Sequence, residues 1–111
     1  MKGARITHRY AKSLMDLAVE RNELDKVFED MEVVLNTCKE NRDFVVLLQS
    51  PVVSSDRKVK ILASVFAGLS PLVQQFIEVV ARKKREPLLE DIAKDVVVMY
   101  KEHNNIQSYS V

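Results

Sequence analysis

Turn-forming residues are scarce in this chain, with two glycines and three prolines in 111 residues. Strands joined by hairpins need more of them, so an all-β architecture is excluded. The single cysteine, Cys38, rules out an intramolecular disulfide and suits a reducing compartment. No apolar run approaches the ~20 residues that span a bilayer, and the N-terminus lacks the apolar h-region of a secretory signal. Any membrane link therefore passes through other proteins. The net charge of +1 gives no global reason to expect nucleic acid or an anionic membrane.

The parts of a catalytic site are missing too. With only Gly3 and Gly68, there is no phosphate-binding glycine loop, and no Gly-x-Ser-x-Gly elbow occurs. His8 and His103 fall on helical segments with no cysteine or carboxylate at metal-ligand spacing. Cys38 continues an apolar stripe and reads as packing, not as a nucleophile. Asp30, Glu32 and Asp56 read as solvated helix carboxylates. No enzyme activity, cofactor or metal is expected.

What remains is helical periodicity. Long periodic segments with short breaks predict a single all-α domain, a bundle of six helices. The first spans about Arg5 to Glu20 and ends at Arg21-Asn22. The second spans Glu23 to Lys39, with a one-sided stripe of Leu24, Val27, Phe28, Met31, Val34, Leu35 and Cys38, and Val33 as the outlier. Arg42 to Gln49 makes a short third helix, stopped at Ser50-Pro51. Ser54 or Ser55 caps the fourth, which Gly68 closes. Ser70-Pro71 opens the fifth, which runs to about Lys83. The sixth spans Leu88 to His103, with Asn104-Asn105 as a turn. The bundle is assigned to residues 1–103, and residues 104–111 to a linker or the start of a further domain.

Two helices carry more apolar surface than one contact needs. Ile6, Tyr10, Ala11, Leu14, Met15, Leu17, Ala18 and Val19 cover roughly 220° of the first helix, against a stripe of somewhat over 100° on an ordinary surface helix. Leu72, Val73, Phe76, Ile77, Val79, Val80 and Ala81 cover roughly 200° of the fifth. If adjacent, the two form an apolar trough suited to an amphipathic partner helix. Alternatively, both are simply central in the bundle. The run Arg82-Lys83-Lys84-Arg85 complements the dipole at a helix C-terminus. It could instead border a groove and meet an acidic partner, or bind RNA phosphates. The RNA-binding module is the rival function, and it predicts affinity that falls steeply with salt.

Several segments, in order, resemble the N-terminal domain of the ATP synthase delta subunit family, called the oligomycin-sensitivity-conferring protein in mitochondria. They are Arg9-Tyr10-Ala11-Lys12-Ser13-Leu14 with Asp16-Leu17-Ala18-Val19-Glu20, and Phe44 through Leu47-Leu48-Gln49-Ser50-Pro51-Val52-Val53. Lys58-Val59-Lys60-Ile61-Leu62, Leu69-Ser70-Pro71-Leu72 with Phe76-Ile77, and Arg85, Leu88-Leu89 and Ile92-Ala93 complete the series.

The resemblance implies a non-catalytic peripheral-stalk (stator) subunit, peripheral on the cytoplasmic face of the bacterial inner membrane. It implies that the N-terminal helix of a catalytic-head alpha subunit docks between the first and fifth helices, and that a C-terminal domain binds the b subunits. The bundle itself would be monomeric and would bind no nucleic acid. Carried over by position, the alpha contacts are Tyr10, Ser13, Leu14 and Leu17 with Phe76, Val79, Val80 and Lys83. The sequence departs from the family after the fifth helix. Lys84 stands where a glycine is usual, Pro87 comes early, and Glu90 takes the usual proline's place, so that turn is expected to be built differently.

Overall fold

In a computed structural model the backbone is described for residues 2–108 and the side chains for residues 5–104. Six α-helices follow one another: α1 (Lys2–Glu20), α2 (Leu24–Glu40), α3 (Arg42–Gln49), α4 (Ser55–Val65), α5 (Pro71–Arg82) and α6 (Leu89–Ser108). A single 3₁₀ turn, Glu86–Leu88, leads into α6, and no strand occurs among the described residues. This is the expected all-α six-helix bundle.

The middle of the bundle is α6, packed by α1 and by α2. That double coverage accounts for the breadth of its apolar face: Leu89, Ile92, Ala93 and Val96 are fully buried. Ala11 and Ala18 on α1 and Ala93 on α6 are wholly buried as well, and side chains this small let backbones approach closely. The fifth helix packs on α4 and α2. On α2 the one-sided stripe is realised, with Val27, Met31, Val34 and Cys38 sealed while Val33 stays exposed. Toward the far end of α6, Tyr100 stacks on Phe28 at 3.9 Å between ring centroids, and its hydroxyl donates to Asp25 Oδ1 at 2.7 Å.

Helix ends follow local chemistry. The Ser54 hydroxyl accepts from the Arg57 N–H, and the Ser70 hydroxyl from the Val73 N–H ahead of a Pro71 first turn. Gly68 does not close α4. That helix ends at Val65 with Phe66 as its C-cap, Gly68 has no positive φ, and a Cβ added there would meet nothing. Asn104-Asn105 makes no turn, because α6 runs on through Ser108.

Two non-glycine residues adopt the left-handed conformation, Asn22 at φ 57° and Lys84 at φ 62°. Each completes a Schellman cap. Glu23 N–H donates to the Ala18 carbonyl and Asn22 N–H to that of Val19; Arg85 N–H donates to Val80 and Lys84 N–H to Ala81. The α5 cap therefore keeps the backbone a glycine would give, contrary to the expectation of a differently built turn. A lysine pays steric strain in that conformation, on the order of 1 kcal/mol or more. Lys84→Gly is expected to raise stability by about 1 kcal/mol in urea denaturation, less whatever the freer unfolded chain takes back.

Two buried polar contacts pin the bundle. Asp30, 2% exposed, accepts from the Ser70 N–H at 2.8 Å and pairs with Lys26 at 3.2 Å. It therefore ties α2 to the start of α5, and is not the solvated carboxylate its pattern suggested. Lys58 and Glu86, both buried, form an ion pair at 2.8 Å, and Lys58 also donates to the Leu48 carbonyl at 2.8 Å.

Candidate functional site: an apolar trough between two helices

A cleft of about 420 Å³ opens between α1 and α5. Its α1 wall is Tyr10, Ser13, Leu17 and Arg21, and its α5 wall is Leu72, Gln75, Phe76, Val79 and Lys83. On α1 the steps are three, four and four residues; on α5, positions 72, 76, 79 and 83 step by four, three and four. These are the spacings that keep one stripe of a helix on one side. Each wall spans eleven residue steps, about 16 Å of helix rise. Tyr10 and Phe76 close the cleft's floor, edge to face with centroids 6.4 Å apart. Leu17 and Val79 remain 38% and 41% exposed; other valines of the chain are more exposed, and what distinguishes this pair is that both line one cleft.

Of the eight residues expected at the site, Tyr10, Ser13, Leu17, Phe76, Val79 and Lys83 line this cleft. Leu14 and Val80 do not. They are 0% and 1% exposed, turned into the core, and inaccessible to any partner in this conformation. Both lie in the wide apolar arcs, and the arc alone does not separate its inner from its outer half. Arg21, Leu72 and Gln75 were missed, although each extends the stripe by one helical step from Leu17, Phe76 or Val79.

The basic run disperses. The Arg82 guanidinium pairs with Glu78 at 2.8 Å within α5, Lys83 lines the cleft, and Lys84 and Arg85 supply the backbone of the Schellman cap. His8 and His103 are exposed, and no group of three metal-ligating side chains exists among the described residues. No helix searched among those residues is long and apolar enough to cross a membrane.

Cys38 is free and buried, as its stripe position required. Desolvation, and then the charge of Glu90, push its thiol from 9.0 up to about 11, against a smaller opposing effect of Arg42. Two units mean about 100-fold less thiolate near neutral pH. Native Cys38 is therefore expected to react with a disulfide reagent at pH 8 at least about 100-fold more slowly than in urea-unfolded chain.

The family model described as ATP synthase delta (OSCP) subunit matches residues 6–111. The chain is similar to ATP synthase subunit delta of Chlorobium phaeobacteroides, 36% identical over 95% of this chain and 59% of that protein. It is also similar to the subunit delta of Cytophaga hutchinsonii, 33% identical over 100% of this chain and 62% of the relative. It thus spans about three-fifths of the length of the curated relatives it matches. A chain of the Toxoplasma gondii mitochondrial ATP synthase hexamer superposes with a TM-score of 0.74 at 31% identity, over 80% of this chain and 51% of that one. With the family model covering almost every residue and the helical bundle matching a chain of an ATP synthase, this chain belongs to the ATP synthase delta (OSCP) subunit family.

Proposed function

We propose that this chain is the N-terminal domain of a non-catalytic stator subunit of an F-type ATP synthase, peripheral on the cytoplasmic face of a bacterial inner membrane. Its trough takes the N-terminal helix of a catalytic-head alpha subunit, and a further part of the protein, beyond the bundle, joins the b-subunit stalk. The carrying observation is the α1–α5 cleft, an apolar furrow three helical turns long with Leu17 and Val79 left open to solvent. An amphipathic helix with anchors at i, i+3, i+4 and i+7 fits such a furrow.

The role is mechanical. A rotary enzyme works only if its head is held still while the rotor turns. A clamp of this kind needs slow dissociation, which a buried apolar helix interface supplies. Of the basic run only Arg82 is ion-paired among the described residues, with Glu78, but the run has no interleaved aromatic side chains for base stacking, which favours the clamp over the RNA-binding alternative.

The test is a calorimetric titration of the chain with a synthetic peptide of the first ~25 residues of the alpha subunit from the same organism, a length that includes more than the three turns the cleft spans. Saturable binding of one peptide per chain is expected, with a negative heat-capacity change from apolar burial. Absence of binding overturns the proposal.

A further inference from the structure

The charged residues lining the trough are Arg21, just past α1, and Lys83, just past α5, both cations and both exposed. Neither takes part in an ion pair among the described residues. The carboxylates nearest in sequence are off the cleft or otherwise engaged: Glu20 and Glu23, beside Arg21, do not line it, and near Lys83 Glu86 pairs with Lys58 and Glu78 with Arg82. Arg21 and Lys83 also occupy matching places. Each follows the last residue of its helix, and each precedes the left-handed residue of a Schellman cap. Part of their role is local, because a cation complements the negative end of a helix dipole. That role does not require them to line the same apolar furrow.

We infer that the trough selects an acidic amphipathic helix: apolar anchors in the furrow, with carboxylates on the flanks facing Arg21 and Lys83. The inference rests on the trough being the docking site proposed above and adds the charge of its occupant. Two uncompensated cations at the rim attract a partner of opposite sign, raise its rate of encounter and repel a basic helix of the same apolar pattern. The arrangement therefore sets which amphipathic helix binds, while the apolar floor sets how slowly it leaves.

The experiment uses the full chain and three synthetic peptides. They are the alpha-subunit N-terminal segment, the same peptide with its aspartates and glutamates changed to the amides, and the same peptide with them changed to lysine. Arg21→Glu/Lys83→Glu is compared with the wild-type chain, with thermal melts confirming that both are folded. The double variant is expected to bind the native peptide about ten-fold more weakly or worse, each rim charge contributing a few-fold. The amide peptide is expected to lose a similar factor on the wild-type chain. The lysine peptide is expected to bind the double variant better than it binds the wild type, a rescue that a helix-capping role alone does not produce.

Equal affinities across these pairs, with native-peptide binding still lost in Val79→Asp, would overturn the charge inference and leave the trough reading standing. Native-peptide binding indifferent to Val79→Asp would overturn the trough reading itself. A chain that dimerises, with the dimer lost in Val79→Asp, would make a second copy the occupant and overturn both.

Discussion

Lys58→Met is expected to lower the stability of this domain by about 3–5 kcal/mol, the usual cost of stranding one partner of a buried ion pair. The lysine holds three elements together. Its ammonium lies 2.8 Å from Glu86 Oε2 on the 3₁₀ turn and 2.8 Å from the Leu48 carbonyl near the end of α3, while its stem belongs to α4. The Leu48 carbonyl is among the last four of α3, which have no partner within their own helix, so the lysine also serves as a C-terminal cap. Glu86 Oε1 is buried with no hydrogen-bond partner among the described residues, so among them the carboxylate depends on this one cation. Removing it leaves a charge in the interior with nothing to offset its desolvation. Against a typical total of 5–15 kcal/mol, the loss is large, and the melting temperature should fall on the order of 15 °C. Lys58→Met/Glu86→Leu should recover more than half of that loss, because two apolar residues of similar volume need no compensation. Urea denaturation of the two variants decides it. A single-variant loss below about 1 kcal/mol, or a double variant no better than the single, would show that water or side-chain movement relieves Glu86 in the mutant.

None of this network was visible in the sequence. Lys58 and Glu86 are 28 residues apart, and a lysine on a polar-looking helix reads as solvated until the tertiary fold buries it. The same holds for Asp30, whose partner is a backbone N–H forty residues on. Local signals were legible because they act within a few residues. The Ser54 and Ser70 caps, the Pro51 stop and the stripe of α2 all appear as read. Gly68 shows the limit of that approach, since a glycine after an apolar run suggests a cap that α4 never makes. Lys84 shows the converse: backbone hydrogen bonds from Lys84 and Arg85 hold a left-handed turn that the residue type argues against. The trough was half legible. Over-wide arcs on two helices pointed to it, but only packing shows that Leu14 and Val80 are spent inside, while Leu17 and Val79 of the same arcs stay out.

That division between inner and outer residues makes Val79→Asp the sharpest test of the site. In the free domain the valine is 41% exposed, so a carboxylate there stays hydrated, and it sits four residues before Lys83, where opposite charges on a helix attract. Stability should change by no more than about 0.5 kcal/mol. With a partner helix in the trough the same carboxylate would lie against apolar side chains, at a cost of several kcal/mol. Each 1.4 kcal/mol is about ten-fold in affinity, so binding of the alpha-subunit peptide should weaken at least about 100-fold. Tyr10→Asp does not separate the two effects. Its ring packs against Phe76 and is half-buried, so the substitution should loosen the free domain as well as the interface. Leu14→Asp and Val80→Asp should unfold the bundle outright, since both side chains are sealed in the core. Thermal melts and peptide titrations of Val79→Asp beside Val80→Asp thus set one residue of α5 against its neighbour. The first should keep its fold and lose its partner, and the second should lose its fold. Should Val79→Asp bind the peptide as the wild type does, the trough between α1 and α5 is not where the peptide docks.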